Sequence, residues 1–139
     1  NIPEMEALTA MSLTTAEEKL SAAQYLLSLG AQAVLLKGGH EEGDTKCDTV
    51  YQLDGSNITQ LQLSTPTVAT KNIHGTGCTL SSAIAAFMAR GLALREAVQE
   101  AKSYITEAIL SGADIAIGNG FGPVNHLFNP LPMQVYEER

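Results

Sequence analysis

Two observations predict an α/β fold for this chain. Helical and strand patterns alternate along it. One apolar run is of the kind buried inside a sheet. No internal repeat, low-complexity tract or Pro/Gly/Ser-rich linker divides the 139 residues. Taking the elements in order, Thr14 and Glu17 form a capping box. Ala16, Leu20, Ala23 and Leu27 follow at helical spacing, and Gly30 stops the helix. Ala33-Val34-Leu35-Leu36 is the continuous apolar run, suited to a strand buried on both faces, and it ends in Lys37-Gly38-Gly39-His40. Residues 41–46 are polar and read as a loop. Residues 49–53 and 58–63 read as two strands around Asp54-Gly55, a hairpin signal. A second loop spans residues 72–77. Two helical stripes follow, Leu80, Ala83, Ile84, Phe87 and Met88, then Leu94, Ala97, Val98, Ala101, Ile105, Ala108 and Ile109, with Gly91 as the turn between them. Both stripes are expected to be core faces. Residues 118–139, rich in Gly and Pro, are expected to be irregular. One apolar strand cannot make a parallel sheet by itself, so the sheet reads as incomplete.

Composition bounds the function classes. Apolar residues make up 45% and charged residues 17%, the balance of a soluble globular domain. This excludes a wholly disordered chain, a collagen-like one and a small disulfide scaffold. Eight basic against fifteen acidic residues give a net charge of −7, which argues against a nucleic-acid binder. The two cysteines, Cys47 and Cys78, read as reduced thiols in a cytoplasmic protein. Residues 80–89 are the most apolar window, too short for a membrane span and containing Ser81 and Ser82. Asn1-Ile2-Pro3-Glu4 lacks the basic-then-apolar run of a secretory signal. Because the first residue is Asn rather than Met, the chain reads as processed at its start or as a piece of a longer protein.

The segment that points to chemistry is His74-Gly75-Thr76-Gly77-Cys78-Thr79, directly before an amphipathic helix. Gly75 and Gly77 are expected to turn the backbone with positive φ and to let a ligand approach closely. The free N–H groups at the helix start and the helix dipole make an anion site there, suited to phosphate. Thr76 and Thr79 could add hydroxyl donors. A thiol in the first turn of a helix is acidified by those N–H groups, so Cys78 is a candidate base or nucleophile; the plainer reading is a small buried apolar residue. A Cys78–His74 hydrolase pair is a weaker alternative. Lys37 ends the apolar strand, where α/β proteins bind ligands, and suits a phosphate; a surface Lys is the plainer reading. Asn1 and Glu4, with Glu6 nearby, could hold Mg²⁺ directly or through water, against the plain reading of a solvated helix start. Lys102 reads as a helix-edge charge. His40 and His126 have no metal-ligand spacing and read as surface or structural residues.

The segment Lys71-Asn72-Ile73-His74-Gly75-Thr76-Gly77-Cys78-Thr79-Leu80-Ser81 resembles the signature loop of the hydroxymethylpyrimidine/phosphomethylpyrimidine kinases, in the ribokinase-like superfamily. Four further segments agree in order and spacing: residues 1–6, 34–40, 99–103 and 118–126. The resemblance implies a three-layer α/β/α fold with a mainly parallel central sheet, of which residues 1–139 form the C-terminal portion of one domain. It implies ATP-dependent phosphorylation of hydroxymethylpyrimidine and its monophosphate in thiamine biosynthesis, with Mg²⁺. Gly75, Thr76 and Gly77 would form the anion hole for the transferred phosphoryl group. Cys78 would stand where most ribokinase-like kinases have an aspartate base and would take the proton of the substrate hydroxymethyl group. His74 would lie beside the pyrimidine. Asn1 and Glu4 match the Asn-x-x-Glu motif that supports Mg²⁺ and phosphates, and Lys37 and Lys102 would contact ATP. The missing partner would be the N-terminal half of the kinase, and self-association into a homodimer is expected; nucleic acid and membrane are not. A pyridoxal kinase of the same Cys-bearing type and a non-catalytic nucleotide-binding fragment are the alternatives.

Overall fold

The computed structural model describes residues 1–38 and 43–132. The order of elements is α1 (Ile2–Thr9), α2 (Ala16–Ser28), β1 (Ala33–Leu36), β2 (Thr45–Asp54), β3 (Asn57–Pro66), α3 (Thr76–Ala89) and α4 (Leu94–Gly112). His40, read from sequence as a surface residue, lies outside the described residues, as does the end of the tail; residues 118–132 are irregular as expected. The chain divides into two compact units, Asn1–Thr67 and Val68–Arg139.

In the first unit, β1, β2 and β3 form one sheet in that order. Both pairings are antiparallel, Ala33 facing Gln52 and Thr45 facing Pro66 at the ends of the ladders. The expected mainly parallel sheet is therefore not what these strands form. The reason is connection length. A parallel pair needs a crossover of about a dozen residues or more, and only residues 37–44 join β1 to β2. Strands β2 and β3 extend beyond residues 49–53 and 58–63, ten residues each. Their two-residue loop is Gly55-Ser56, since Asp54 already pairs with Asn57. Gly55 has φ 62° and Ser56 does not have positive φ, the pattern of a type II′ turn with Gly first.

The core of this unit joins Met5 of α1, Leu13, the inner face of α2 (Ala22, Ala23, Leu27), Leu36 and Tyr51. The α2 cap is shifted by one residue from expectation. Thr15 is the N-cap and Glu18 its reciprocal partner. Thr14 still takes part, because its N–H and hydroxyl also reach the Glu18 carboxylate, at 2.9 and 2.7 Å. That Thr14 hydroxyl, with the Thr15 and Thr14 N–H groups, holds the Glu18 carboxyl below its usual 4.5. A depressed carboxylate stabilises the fold above its unfolded-state pKa, and the contribution is lost as pH falls through the folded-state value. The α2 cap should thus weaken on acidification below pH 4.5. Melting curves across that range should show a smaller acid-dependent loss for Glu18→Gln than for the unaltered chain; equal slopes would reject the assignment.

In the second unit, α4 buries Ala97, Val98, Ala101, Ile105, Ala108 and Gly112, a stripe at three- and four-residue spacing. It packs against α3. The α4 stripe agrees with the sequence reading at Ala97, Val98, Ala101, Ile105 and Ala108, with Leu94 and Ile109 half-buried. The α3 stripe does so only in part: Leu80 is buried, Ala83, Ile84 and Phe87 are half-buried, and Met88 is 46% exposed. Helix α3 is apolar on most sides, so its pattern does not single out one face. Ile105 is 3% exposed, so Ile105→Ala should cost about 2–5 kcal/mol through the buried atoms lost and the cavity left. Urea unfolding measures it, and a loss below about 1 kcal/mol would contradict this packing.

Candidate active site

The first unit holds three of the candidate residues. Asn1 caps α1: its amide oxygen accepts the Glu4 N–H at 2.9 Å, and its ammonium donates to Glu4 Oε2 at 2.8 Å. Lys37, half-buried, follows the end of β1. The next residue, Gly38, is pinned by its N–H donating at 2.9 Å to Oδ1 of Asp48, which is buried in β2. Asp48 escaped the sequence reading. It lies just ahead of the strand read at residues 49–53, and only the longer β2 takes it into the sheet. The Asn1–Glu4 cap leaves one carboxylate oxygen outside the reciprocal bonds. Such a donor set suits Mg²⁺ held through water rather than by several direct protein ligands. Among the described residues no group of three His, Cys, Asp or Glu could hold a metal directly.

The second unit holds the loop. His74 donates its N–H to the Gly122 carbonyl at 3.0 Å and pairs in parallel with Pro123. Gly75 then takes φ 83° and ψ 2° as the N-cap of α3, a left-handed conformation that side-chain-bearing residues resist. Having no side chain, it supplies no capping hydrogen bond. Gly77 differs from expectation. It sits inside the first turn of the helix without positive φ, so what it contributes there is the lack of a Cβ.

Backbone donors decide what this helix start can do. The Thr76 N–H points to the Ile73 carbonyl at 3.3 Å, and the Thr79 N–H to the Gly75 carbonyl at 2.8 Å. Among the described residues, the N–H groups of Gly77 and Cys78 have no hydrogen-bond partner. Two adjacent free N–H groups at the positive end of a 14-residue helix can both donate to an anion. The expected hydroxyl donors are both engaged. Thr76 Oγ1 donates back to the Ile73 carbonyl, and Thr79 Oγ1 lies 2.9 Å from His126 Nε2.

Cys78 is exposed and unbridged in this first turn. It stands at one end of a groove of about 470 Å³ along α3, whose other end reaches Arg90. His126, read from sequence as surface or structural, is exposed; it lines the same groove and is held twice, by Thr79 and by the Tyr104 hydroxyl donating to its carbonyl at 3.1 Å. The signal for it was present in the segment of residues 118–126, though not in any spacing to Cys78. His74 is exposed beside the loop, and Lys102 is half-buried on α4.

Comparison with known proteins gives the family of the chain. The phosphomethylpyrimidine kinase family profile matches residues 1–125. A thiamine biosynthesis bifunctional protein of Geobacter sulfurreducens is 45% identical over 127 residues, 91% of this chain and 25% of the relative. The hydroxymethylpyrimidine/phosphomethylpyrimidine kinase of Bacillus subtilis is 38% identical over 126 residues, 91% of this chain and 45% of the relative. Among solved structures, the pyridoxal kinase of Staphylococcus aureus in complex with AMP-PCP aligns with TM-score 0.81 and 32% identity, covering 93% of this chain and 46% of that one. The chain thus spans about half the length, or less, of the relatives it matches. The α/β elements are those of one portion of the ribokinase-like kinases, and the chain belongs to the phosphomethylpyrimidine kinase family.

Proposed function

We propose that this chain is the C-terminal, phosphate-handling portion of a kinase that phosphorylates hydroxymethylpyrimidine and its monophosphate with MgATP in the cytoplasm. The observation that carries the reading is the pair of free N–H groups on Gly77 and Cys78 at the uncapped start of α3. Bound MgATP supplies the phosphoryl group and offsets part of its charge. The residues of this chain do the rest. Gly77 and Cys78 donate their N–H groups to the oxygens of the transferred group, where negative charge must be held during transfer. Gly75 sets the turn that aims them. Cys78 Sγ takes the proton of the substrate hydroxyl, as a general base does. His74 faces the pyrimidine. Lys37 and Lys102 bind phosphates as point charges, and Asn1 with Glu4 would hold Mg²⁺ through water. The N-terminal half of the kinase, the partner this reading requires, completes the substrate pocket.

The test is a chimaera in which the N-terminal half of the Bacillus subtilis relative is fused ahead of Asn1, assayed beside the intact relative. ATP-dependent formation of the pyrimidine monophosphate is the expected result. A folded but inactive chimaera, beside an active relative, would point instead to a non-catalytic nucleotide-binding module. The likeness to the Staphylococcus aureus pyridoxal kinase supports a second reading, in which pyridoxal is the substrate. The same assay with both substrates separates them. A clear preference for pyridoxal would replace the first reading.

A further inference from the structure

Asn72, two residues before His74, is only 2% exposed. Its side-chain NH₂ donates to the carbonyls of Gly112 at 2.7 Å, Ala113 at 3.3 Å and Ile115 at 2.7 Å, at the end of α4 and just beyond it. Three carbonyl acceptors fix the amide orientation, because only the NH₂ can face them. The amide oxygen must then face the other way, and it has no hydrogen-bond partner. It lies against Gly122. A Cβ on Gly122 would overlap that oxygen and come within 2.7 Å of the Asn72 Cγ. Gly122 is also the residue whose carbonyl accepts the His74 N–H.

One buried amide therefore touches both supports of the Gly75–Cys78 turn. On one side it grips the end of α4, and on the other it sets how closely residue 122 approaches. Two neighbouring contacts hold the same junction: Thr70 Oγ1 donates to the Ala113 carbonyl at 2.8 Å, and the Asn125 N–H to the Ala108 carbonyl at 3.0 Å. We propose that Asn72 is the positioning residue of the anion loop, holding the backbone of residues 73–78 in the geometry that aims the Gly77 and Cys78 N–H groups outward, with Gly122 as its obligatory small partner. The proposal rests on the reading of those N–H groups as a phosphate site. Its tie to Gly122 is a matter of packing and is tested separately.

Amide hydrogen exchange on the 139-residue chain is the measurement, with Asn72→Ala, Gly122→Ala and the double variant. In Asn72→Ala the hydrogen-bonded amides of His74, Thr76 and Thr79 should exchange about tenfold faster, while those in the middle of α4 keep their rates. Uniform acceleration along the chain would mean a merely structural role, and no change would also overturn the proposal. Gly122→Ala should loosen the same amides from the other side, which keeps the test open if Asn72→Ala melts too low. Adding Gly122→Ala to Asn72→Ala should cost almost nothing further, because the overlapping atoms are gone and the nearest remaining one is the Cβ at 3.5 Å. Full additivity would contradict the contact. ADP titration of the unaltered chain separates the two levels: no response at residues 75–79 together with selective loosening in Asn72→Ala would remove the phosphate reading and leave the positioning role standing.

Discussion

Cys78→Ala should lower kcat of the chimaeric kinase by about 10²–10⁴-fold, the range for loss of a general base. Stability should change little. Cys78 is exposed, and substitutions at such positions usually fall within about 0.5 kcal/mol. The Ala variant also keeps the backbone N–H at position 78, so nucleotide binding and its KM should move much less than kcat. That split distinguishes a lost base from a damaged anion site. Cys78→Asp is the informative companion. A carboxylate can accept the same proton, so part of the rate should return. An unchanged rate in Cys78→Ala would remove the cysteine from the mechanism. A collapse in nucleotide binding would assign it to the phosphate instead.

Gly75→Val should cost about 10²–10³-fold in kcat, as expected when the donors of an oxyanion-type site are misdirected. The cause is backbone conformation and not crowding. An added Cβ at Gly75 meets nothing within 4 Å, yet φ is 83° there. A β-branched residue resists that conformation, whereas Asn tolerates it far better. The chain must then restart α3 with another N-cap, which turns the Gly77 and Cys78 N–H groups away. Gly75→Asn should therefore retain most of the activity that Gly75→Val loses. Steady-state kinetics on the pair decides it, and equal losses would show that space, not φ, matters at this position.

Much of this was legible in the sequence because it rests on local rules. The strand at residues 33–36 follows from a continuous apolar run, and the α4 face from spacing. The left-handed turn at Gly75 follows from a glycine directly ahead of a helix. The cap of α2 slipped by one residue because Thr14-Thr15 and Glu17-Glu18 offer two registers of the same box, and only the backbone chooses between them. Sheet direction was not legible in the apolar run. Ala33–Leu36 would look alike in a parallel sheet, and the short connection to β2 decided the pairing. The roles of Thr76, Thr79, Asn72 and His126 depend on partners that local patterns do not reveal. Thr79 and His126 are 47 positions apart, and Asn72 reaches carbonyls 40 to 43 positions away. A polar side chain carries no periodicity, so such long-range bonds become visible only when the fold brings the segments together.

The central claim is that the start of α3 holds the phosphates of a nucleotide through two backbone N–H groups. Titrating the ¹⁵N-labelled chain with AMP-PCP and Mg²⁺ and following each amide tests it most directly. The account predicts a saturable shift at Gly77 and Cys78, lost in Gly75→Val. Saturable binding that leaves both amides unmoved, or that survives Gly75→Val undiminished, would contradict it.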